Sequence, residues 1–333
     1  MRIAVDAMGG DRAPAEIVKG AVEAAERLPS LSKILLVGDA QAIKRELEVC
    51  RGVSEKIEIR HASEVITMEE TPAQAVRRKK DSSISRTVDL VKDGEADAAV
   101  SAGNTGAFVV AATLKLRTLE GVERPAIATV LPTLDRPLVL IDAGANTDCT
   151  PKFLYQFAVM GHVYSKAIMG QADPIVGLMS IGGEDTKGNE ITKETFGLLS
   201  NSHLNFRGNV EGHDLFKGEI DVAVCDGFVG NIVLKTSESV AHAIGHWMKH
   251  EFRQNPVRIL GACLLKGALT VMKRKMDPEM YGGAPLLGVN GICIITHGAS
   301  SQRAIFHAVR VACESVQQHL NEVIVAEMLS DAK

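Results

Sequence analysis

Residues 96–107 read ADAAVSAGNTGA, and this stretch decides the fold class. Ala96–Val100 is a short apolar run, Ser101–Gly106 is a glycine-rich turn, and Ala107–Leu116 continues with an apolar helical pattern. Similar runs, each leading to a turn and a helical stretch, recur at Arg2–Asp6, Ile34–Val37, Ile57–His61, Ile127–Leu131, Leu138–Ile141, Ile175–Met179, Asp221–Cys225 and Ile292–Thr296. Leu138–Ile141 is apolar at successive positions, which suits a parallel strand covered by helices on both faces. The expectation is a doubly wound, three-layer α/β/α sheet in a single domain over 1–333. In such sheets ligands bind beyond the carboxyl ends of the strands, so the chemistry is expected in the turns.

Composition narrows the function classes. The chain has 333 residues, 46% apolar and 23% charged, which excludes disordered, collagenous and coiled-coil classes. Lys and Arg number 37 against 41 Asp and Glu, for a net charge of −4, and aromatics are 4%. Neither a general polyanion surface nor stacking platforms for single-stranded nucleic acid are expected, so no nucleic-acid partner is. The six cysteines never form C-x-x-C, which fits reduced cytoplasmic thiols. Asp6 and Asp11 interrupt the place where a secretion signal would need its apolar core. The uncharged stretches Ala98–Leu114 and Gly282–Gln302 are broken by Gly, Asn, Ser or Pro and are not read as membrane spans.

One segment departs from the α/β texture. Residues 236–280 keep helical spacing with one corner at Asn255-Pro256 and read as a helical hairpin inserted into the body. From Phe252 to Met276 there is no acid; Arg253, Arg258, Lys266, Lys273, Arg274 and Lys275 surround Ile259, Leu260, Leu264, Leu265, Leu269 and Met272. A basic amphipathic segment suits an anionic membrane surface or an acidic protein, and equally a packing or dimer interface.

The turns supply the candidate chemistry. Gly103, Asn104, Thr105 and Gly106 open a helix, where free N–H groups and the helix dipole favour an anion; a tight turn capped by Thr105 is the plain structural alternative. The turn is neither G-x-G-x-x-G nor a P-loop, so no dinucleotide or nucleoside triphosphate is signalled. Gly-Asn pairs return at Gly188-Asn189, Gly208-Asn209 and Gly230-Asn231, with Gly144-Ala145-Asn146 close in kind. Asn side chains, backbone N–H groups and Lys187 or Lys235 together suit a phosphate and an oxyanion. Gly183–Gly188 has P-loop length but is followed by Asn189 and Glu190, which rules the nucleotide reading out. Arg77-Arg78-Lys79-Lys80 is a compact basic run. His242, His246 and His250 share a helical face without the H-E-x-x-H pattern, and Cys225 reads as a buried strand residue.

Ten of these blocks, in order, resemble the phosphate acyltransferases of bacterial phospholipid synthesis, which make acyl phosphate from acyl-acyl carrier protein and inorganic phosphate. They include Val5–Asp11 (VDAMGGD), Ala75–Ser83 (AVRRKKDSS), Ser101–Ala107 (SAGNTGA), Asp142–Asn146 (DAGAN), Lys187–Asn189 (KGN), Gly208–Gly212 (GNVEG), Cys225–Asn231 (CDGFVGN) and Tyr281–Gly291 (YGGAPLLGVNG). Arg12 and Gly183 stand where the family often has His and Glu. The resemblance implies an isopropylmalate dehydrogenase-like fold, shared with phosphotransacetylase, in homodimers at the inner face of the cell membrane.

On that resemblance, the Gly103–Gly106 turn, Asn146, Lys187, Asn189 and Lys235 are expected to hold phosphate, Asn231 to stabilise the thioester oxyanion, and Asp226 or His297 to protonate the departing thiolate. No cofactor or metal is expected. Arg77, Arg78, Lys79 and Lys80 are the expected docking face for the acidic carrier, and Ile259, Leu260, Leu264 and Leu265 the expected membrane contact. The alternatives are a metal- and NAD-dependent decarboxylating dehydrogenase of the same fold, and a non-catalytic membrane-surface scaffold.

Overall fold

The computed structural model describes residues 1–50, 54–275 and 278–330. The chain begins with β1 (Arg2–Asp6), α1 (Ala15–Arg27), β2 (Lys33–Gly38), α2 (Ala40–Val49), β3 (Ile57–His61), α3 (Pro72–Arg78), α4 (Ser83–Lys92), β4 (Ala98–Ser101) and α5 (Thr105–Leu116). It continues through β5 (Ala126–Leu131), β6 (Leu138–Ile141), α6 (Pro151–Ala167), β7 (Val176–Met179), α7 (Glu190–Ser200), β8 (Phe206–Val210) and β9 (Val222–Val224). Three helices follow, α8 (Gly227–Phe252), α9 (Pro256–Leu264) and α10 (Lys266–Lys275). The chain returns to the body with β10 (Ala284–Leu287), β11 (Ile292–Ile295), α11 (Gln302–Gln317) and α12 (Leu320–Ser330).

All eleven strands lie in one sheet, ordered β3-β2-β1-β4-β11-β10-β5-β6-β9-β7-β8. Helices cover both faces, which is why the central strands are apolar at successive positions. On one face Ile17, Val18, Ile305 and Val309 of α1 and α11 pack on Ile3, Val5 and Val100. Across the sheet Val76, Ile84, Phe108 and Ala111 of α3, α4 and α5 pack near Ala99, Ile127 and Cys293. In the second half Phe157, Tyr164 and Ile324 of α6 and α12 cover Val139 and Val222, and Leu138, Leu140 and Ala223 pack with Leu215 and Val229 on the opposite face.

Three differences from the sequence reading matter for the site. The sheet is not uniformly parallel: β10 is antiparallel to both β11 and β5, and β6 is antiparallel to β5. Consequently β6, β9, β7 and β8 run opposite to β1, β2, β4 and β11. A four-residue apolar strand reads the same whichever way it runs, so the periodicity held no signal for this reversal. Secondly, Gly208-Asn209 is not a turn but lies within β8, paired with β7. Thirdly, the inserted helices begin at Gly227, not at residue 236, because α8 runs unbroken from the end of β9 for 26 residues, about 39 Å. Of α8 only Gly227 and Gly230 are buried, so most of the helix stands clear of the body. Asn255 caps α9 by accepting from the Arg258 N–H (2.9 Å), with Pro256 at its first position. Met276, the last residue of the basic segment, lies outside the described residues, as do the side chains of Lys273 and Arg274.

Candidate active site

The reversal of strand direction sorts the candidate turns into two groups. Gly9–Asp11, Ser101–Gly106 and His297–Gly298 follow β1, β4 and β11 and leave the sheet by one edge. Asp142–Asn146, Ser180–Asn189 and Asp226–Asn231 follow β6, β7 and β9, three neighbouring strands, and leave by the other.

At the first edge a buried carboxylate organises the turn. Asp6 accepts from the Ser101 hydroxyl (2.7 Å) and the Met8 N–H (3.2 Å), and the Ser101 oxygen accepts from the Gly103 N–H (3.0 Å). Burial pushes the Asp6 carboxyl above the ordinary range, opposed by the donors around it. A Cβ on Gly9 would stand 2.5 Å from both Asp6 Oδ2 and the Gly103 nitrogen, so only glycine fits. Asn104 caps α5 through the Ala107 N–H (3.0 Å), while its Nδ2 donates to the carbonyls of Thr67 (3.0 Å), Met68 (3.3 Å) and Glu70 (3.3 Å). The side chain is thus committed to holding a loop. Thr105 and Gly106 offer the backbone that remains at this helix start. His297 lies nearby, exposed, its Nδ1 accepting from the Ala299 N–H (3.1 Å), and Thr296 donates its N–H to the Ser101 carbonyl (2.9 Å).

At the second edge Asp142 is fully buried and accepts from five N–H groups. These are the backbones of Ile127 (3.0 Å), Gly144 (3.1 Å), Ala145 (3.0 Å) and Asn146 (2.7 Å), and the Asn146 Nδ2 (2.9 Å). Burial raises this carboxyl too, opposed by the Ala145, Asn146 and Ile127 donors, which favour the charged form. Asn146 also donates from Nδ2 to the Pro125 carbonyl (2.8 Å), so both its amide hydrogens are engaged and only its oxygen faces outward. The Asn146 carbonyl in turn accepts the Gly227 N–H (2.7 Å), joining this turn to the start of α8. Asp226 caps α8 through the Val229 N–H (2.8 Å) and is half-buried; Asn231, one turn on, is exposed beside Gly144. Lys235, further along α8, is paired with Glu238 (2.9 Å).

The loop after β7 completes this edge. Asn189 caps α7 through the N–H and hydroxyl of Thr192 (2.8 and 2.9 Å). Asn209 donates to the Glu184 carbonyl (2.9 Å), while its Oδ1 and the Ser180 hydroxyl are buried without a partner. Lys187 is exposed on this loop, and its ammonium makes no ion pair among the described residues. The structure therefore brings Asn146, Asp226, Asn231, Lys187, Asn189 and Lys235 to one edge and leaves Gly103–Gly106 and His297 at the other.

Of the basic run, Lys79 is tied to Glu70 and the Val65 carbonyl (both 2.7 Å), whereas Arg77, Arg78 and Lys80 are exposed. Ile259, Leu260, Leu264 and Leu265 are all exposed on α9 and just beyond it. Among the described residues no group of three or more His, Cys, Asp or Glu converges, and the His242 row is no exception. No helix among them is long and apolar enough to cross a membrane. Sequence reasoning did not single out Arg124, which joins Arg77 and Asn146 around a cavity; no motif surrounds Arg124, and the meeting is purely tertiary.

Comparison with known proteins fixes what this arrangement belongs to. Residues 1–323 match the family model described as fatty acid synthesis protein. The chain belongs to that family. It is 52% identical over 329 residues to the phosphate acyltransferase of Desulfitobacterium hafniense strain DSM 10664 / DCB-2, covering 98% of each chain. It is 47% identical to the phosphate acyltransferase of Geobacter sulfurreducens, covering 98% of this chain and 94% of the relative. The chain is thus an acyltransferase of the fatty acid synthesis family, its curated relatives being phosphate acyltransferases. Solved structures share the fold at low identity. A phosphotransacetylase from Streptococcus pyogenes aligns with a TM-score of 0.62 and 18% identity, covering 95% of this chain and 94% of that one. A 4-hydroxythreonine-4-phosphate dehydrogenase from Klebsiella pneumoniae aligns at 0.51 and 14%, covering 95% and 98%. The fold thus carries both transferases and dehydrogenases and does not by itself choose the chemistry.

Proposed function

We propose that the acyl donor is the thioester of an acyl-acyl carrier protein and that the reaction takes place at the edge formed by the turns after β6, β7 and β9. A phosphate oxygen attacks the thioester carbonyl carbon, the C–S bond breaks, and the sulfur leaves as a thiolate that takes up a proton. The products are acyl phosphate and the free carrier thiol. Lys187 carries this reading: it is an ammonium without an ion pair among the described residues, on a strand-end loop where the Ser180 hydroxyl, and the Asn209 oxygen of the adjoining β8, are buried without partners. Lys187 holds the phosphate, with Asn189 and Lys235 shaping the same rim. Asn231 and the N–H groups at the start of α8 face the developing oxyanion. Asp226, not His297, relays the proton from the attacking hydrogen phosphate to the departing sulfur, because it shares an edge with Lys187 and Asn231. The Gly103–Gly106 turn and Asn104 act on the opposite edge, as support or as a second anion contact.

Arg78, Lys80 and Arg77 suit the acidic carrier, and docking through them weakens with salt. The α8–α10 arm suits a homodimer and a peripheral membrane contact at the inner face of the cell membrane. In support, Trp247 is 64% exposed on α8, and Leu264 is 80% exposed on α9 with Arg258 and Lys266 flanking the apolar row.

The test is to incubate the protein with acyl-acyl carrier protein, with and without phosphate, trapping acyl phosphate with hydroxylamine while following free thiol. Phosphate-dependent trapping with matched thiol release is expected, and Lys187→Ala is expected to lower kcat/KM about a hundredfold. Carrier binding without turnover would instead favour the scaffold reading.

A further inference from the structure

A cavity of about 300 Å³ opens where the two halves of the molecule meet. Its walls come from α3 (Ala73, Arg77), α5 (Val109, Val110, Thr113, Leu114), the approach to β5 (Arg124, Pro125) and the turn after β6 (Ala145, Asn146). Leu114 and Arg124 lie ten positions apart, and the other segments are further separated in the sequence. The lining contains two guanidinium groups and no carboxylate.

Of the other polar side chains in the lining, only the Asn146 oxygen is left unengaged among the described residues. The Thr113 hydroxyl donates to the Val109 carbonyl (2.7 Å), and both amide hydrogens of Asn146 are held by Asp142 and the Pro125 carbonyl. Arg77 makes no hydrogen bond or ion pair among the described residues. Arg124 stands over the Phe153 ring, 5.9 Å from its centroid, and likewise has no acid partner; the nearby Glu123 is taken by Lys152 (2.5 Å). Both arginines are exposed, and together they set two guanidinium forks beside Val109, Val110, Leu114 and Pro125 in an opening whose lining holds no acid. A planar guanidinium fork binds phosphoryl oxygens better than any other side chain. A phosphoryl anion between two such forks would complete the site.

We propose that Arg77 and Arg124 together hold a phosphoryl group of the reaction in this cavity, next to Asn146. This rests on the acyl-transfer reading above and names a pair of binding residues for it. The phosphoryl group has two possible sources, the inorganic phosphate and the phosphodiester of the pantetheine arm that carries the thioester. The apolar wall of α5 accommodates the uncharged part of an arm, and the cavity adjoins the turn that Asn146 shares with α8.

The experiment compares wild type with Arg77→Ala, Arg124→Ala and the corresponding Arg→Lys variants, using acyl-phosphopantetheine and acyl-pantetheine as alternative donors. If the pair holds inorganic phosphate, each alanine variant raises the KM for phosphate about tenfold, with partial recovery by lysine. If it holds the arm, the wild type prefers the phosphorylated donor about tenfold and the alanine variants lose that preference, with the KM for phosphate unmoved. Either result supports the pair. Variants that move neither quantity, or that only lower the melting temperature as helix-end cations would, overturn it. So does a change confined to acyl-chain length, which would make the cavity a chain pocket. Absence of acyl phosphate from every donor would instead overturn the acyl-transfer reading. Phosphorus NMR of inorganic phosphate and of phosphopantetheine with the full chain still reports the pair in that event: line broadening of either that is lost in the double alanine variant supports it, and spectra identical for both overturn it.

Discussion

The two edges of the sheet use the same device with different results. Each places a buried aspartate at a strand end, Asp6 after β1 and Asp142 after β6, and wraps a glycine-bearing turn around it. Asp6 is held chiefly by a hydroxyl and one backbone donor, and its neighbour Asn104 is consumed in clamping residues 67–70. Asp142 gathers five N–H groups, and its turn carries the first turn of α8 against it. Both edges keep buried hydroxyls without a partner among the described residues, Ser180 at this one and Ser83 and Thr296 at the other, so what sets this edge apart is the exposed Lys187 on the loop beside it. A glycine turn at a strand end is therefore a structural solution first; only groups left unengaged around it make a site.

Four experiments would break or sharpen this contrast. The largest effect is expected from Gly230→Ala, because a Cβ there would stand 1.9 Å from the Asp142 carbonyl oxygen. The start of α8 must then leave the Asp142 turn, with near-complete loss of turnover and a fall in the melting temperature by calorimetry. Next, Asp142→Asn turns one acceptor oxygen into a donor facing N–H groups, costing about 3 kcal/mol in denaturant unfolding, against about 1 kcal/mol for Asp6→Asn. Equal costs would show that the donor count does not distinguish the edges. Third, Asn104→Ala loses a cap and strands three carbonyls, costing about 2 kcal/mol, whereas Asn189→Ala loses a cap worth about 1 kcal/mol. An Asn104→Ala protein of native stability with abolished turnover would restore Asn104 as a direct phosphate ligand.

The smallest effect is in pH. The Asp6 carboxyl lies above its unfolded value, so its native protonated form stabilises below about pH 4 and that stability is lost as pH rises through the folded value. Unfolding of wild type and Asp6→Asn measured across this window should show wild type losing ground as pH rises. A constant difference would contradict the burial effect.

Much of this was legible in the sequence because it is local. The strand at Leu138–Ile141 and the turn at Ser101–Gly106 each depend on a few adjacent residues, whereas the cap of α5 falls on Asn104 and not on Thr105, and Asn189 and Asp226, read for chemistry, are spent as caps too. The return strand β10 escaped notice because Ala284–Leu287 is short and begins Ala-Pro, and β8 because its Gly-Asn pair reads as a turn. The whole family assignment also lay in the motifs, whose order along the chain is a sequence property.

The sequence by itself determined the α/β alternation, the glycine turns and the basic arm, because backbone preference and hydrophobic period act over a few residues. Only the tertiary structure decided that β6, β9 and β7 run against β4, and hence which turns share an edge. It also decided that Asn104 and Asn146 would exhaust their amides internally, and that Arg77 would meet Arg124. Strand direction and side-chain partnership are fixed by pairings between distant segments, and no local pattern encodes which distant group arrives.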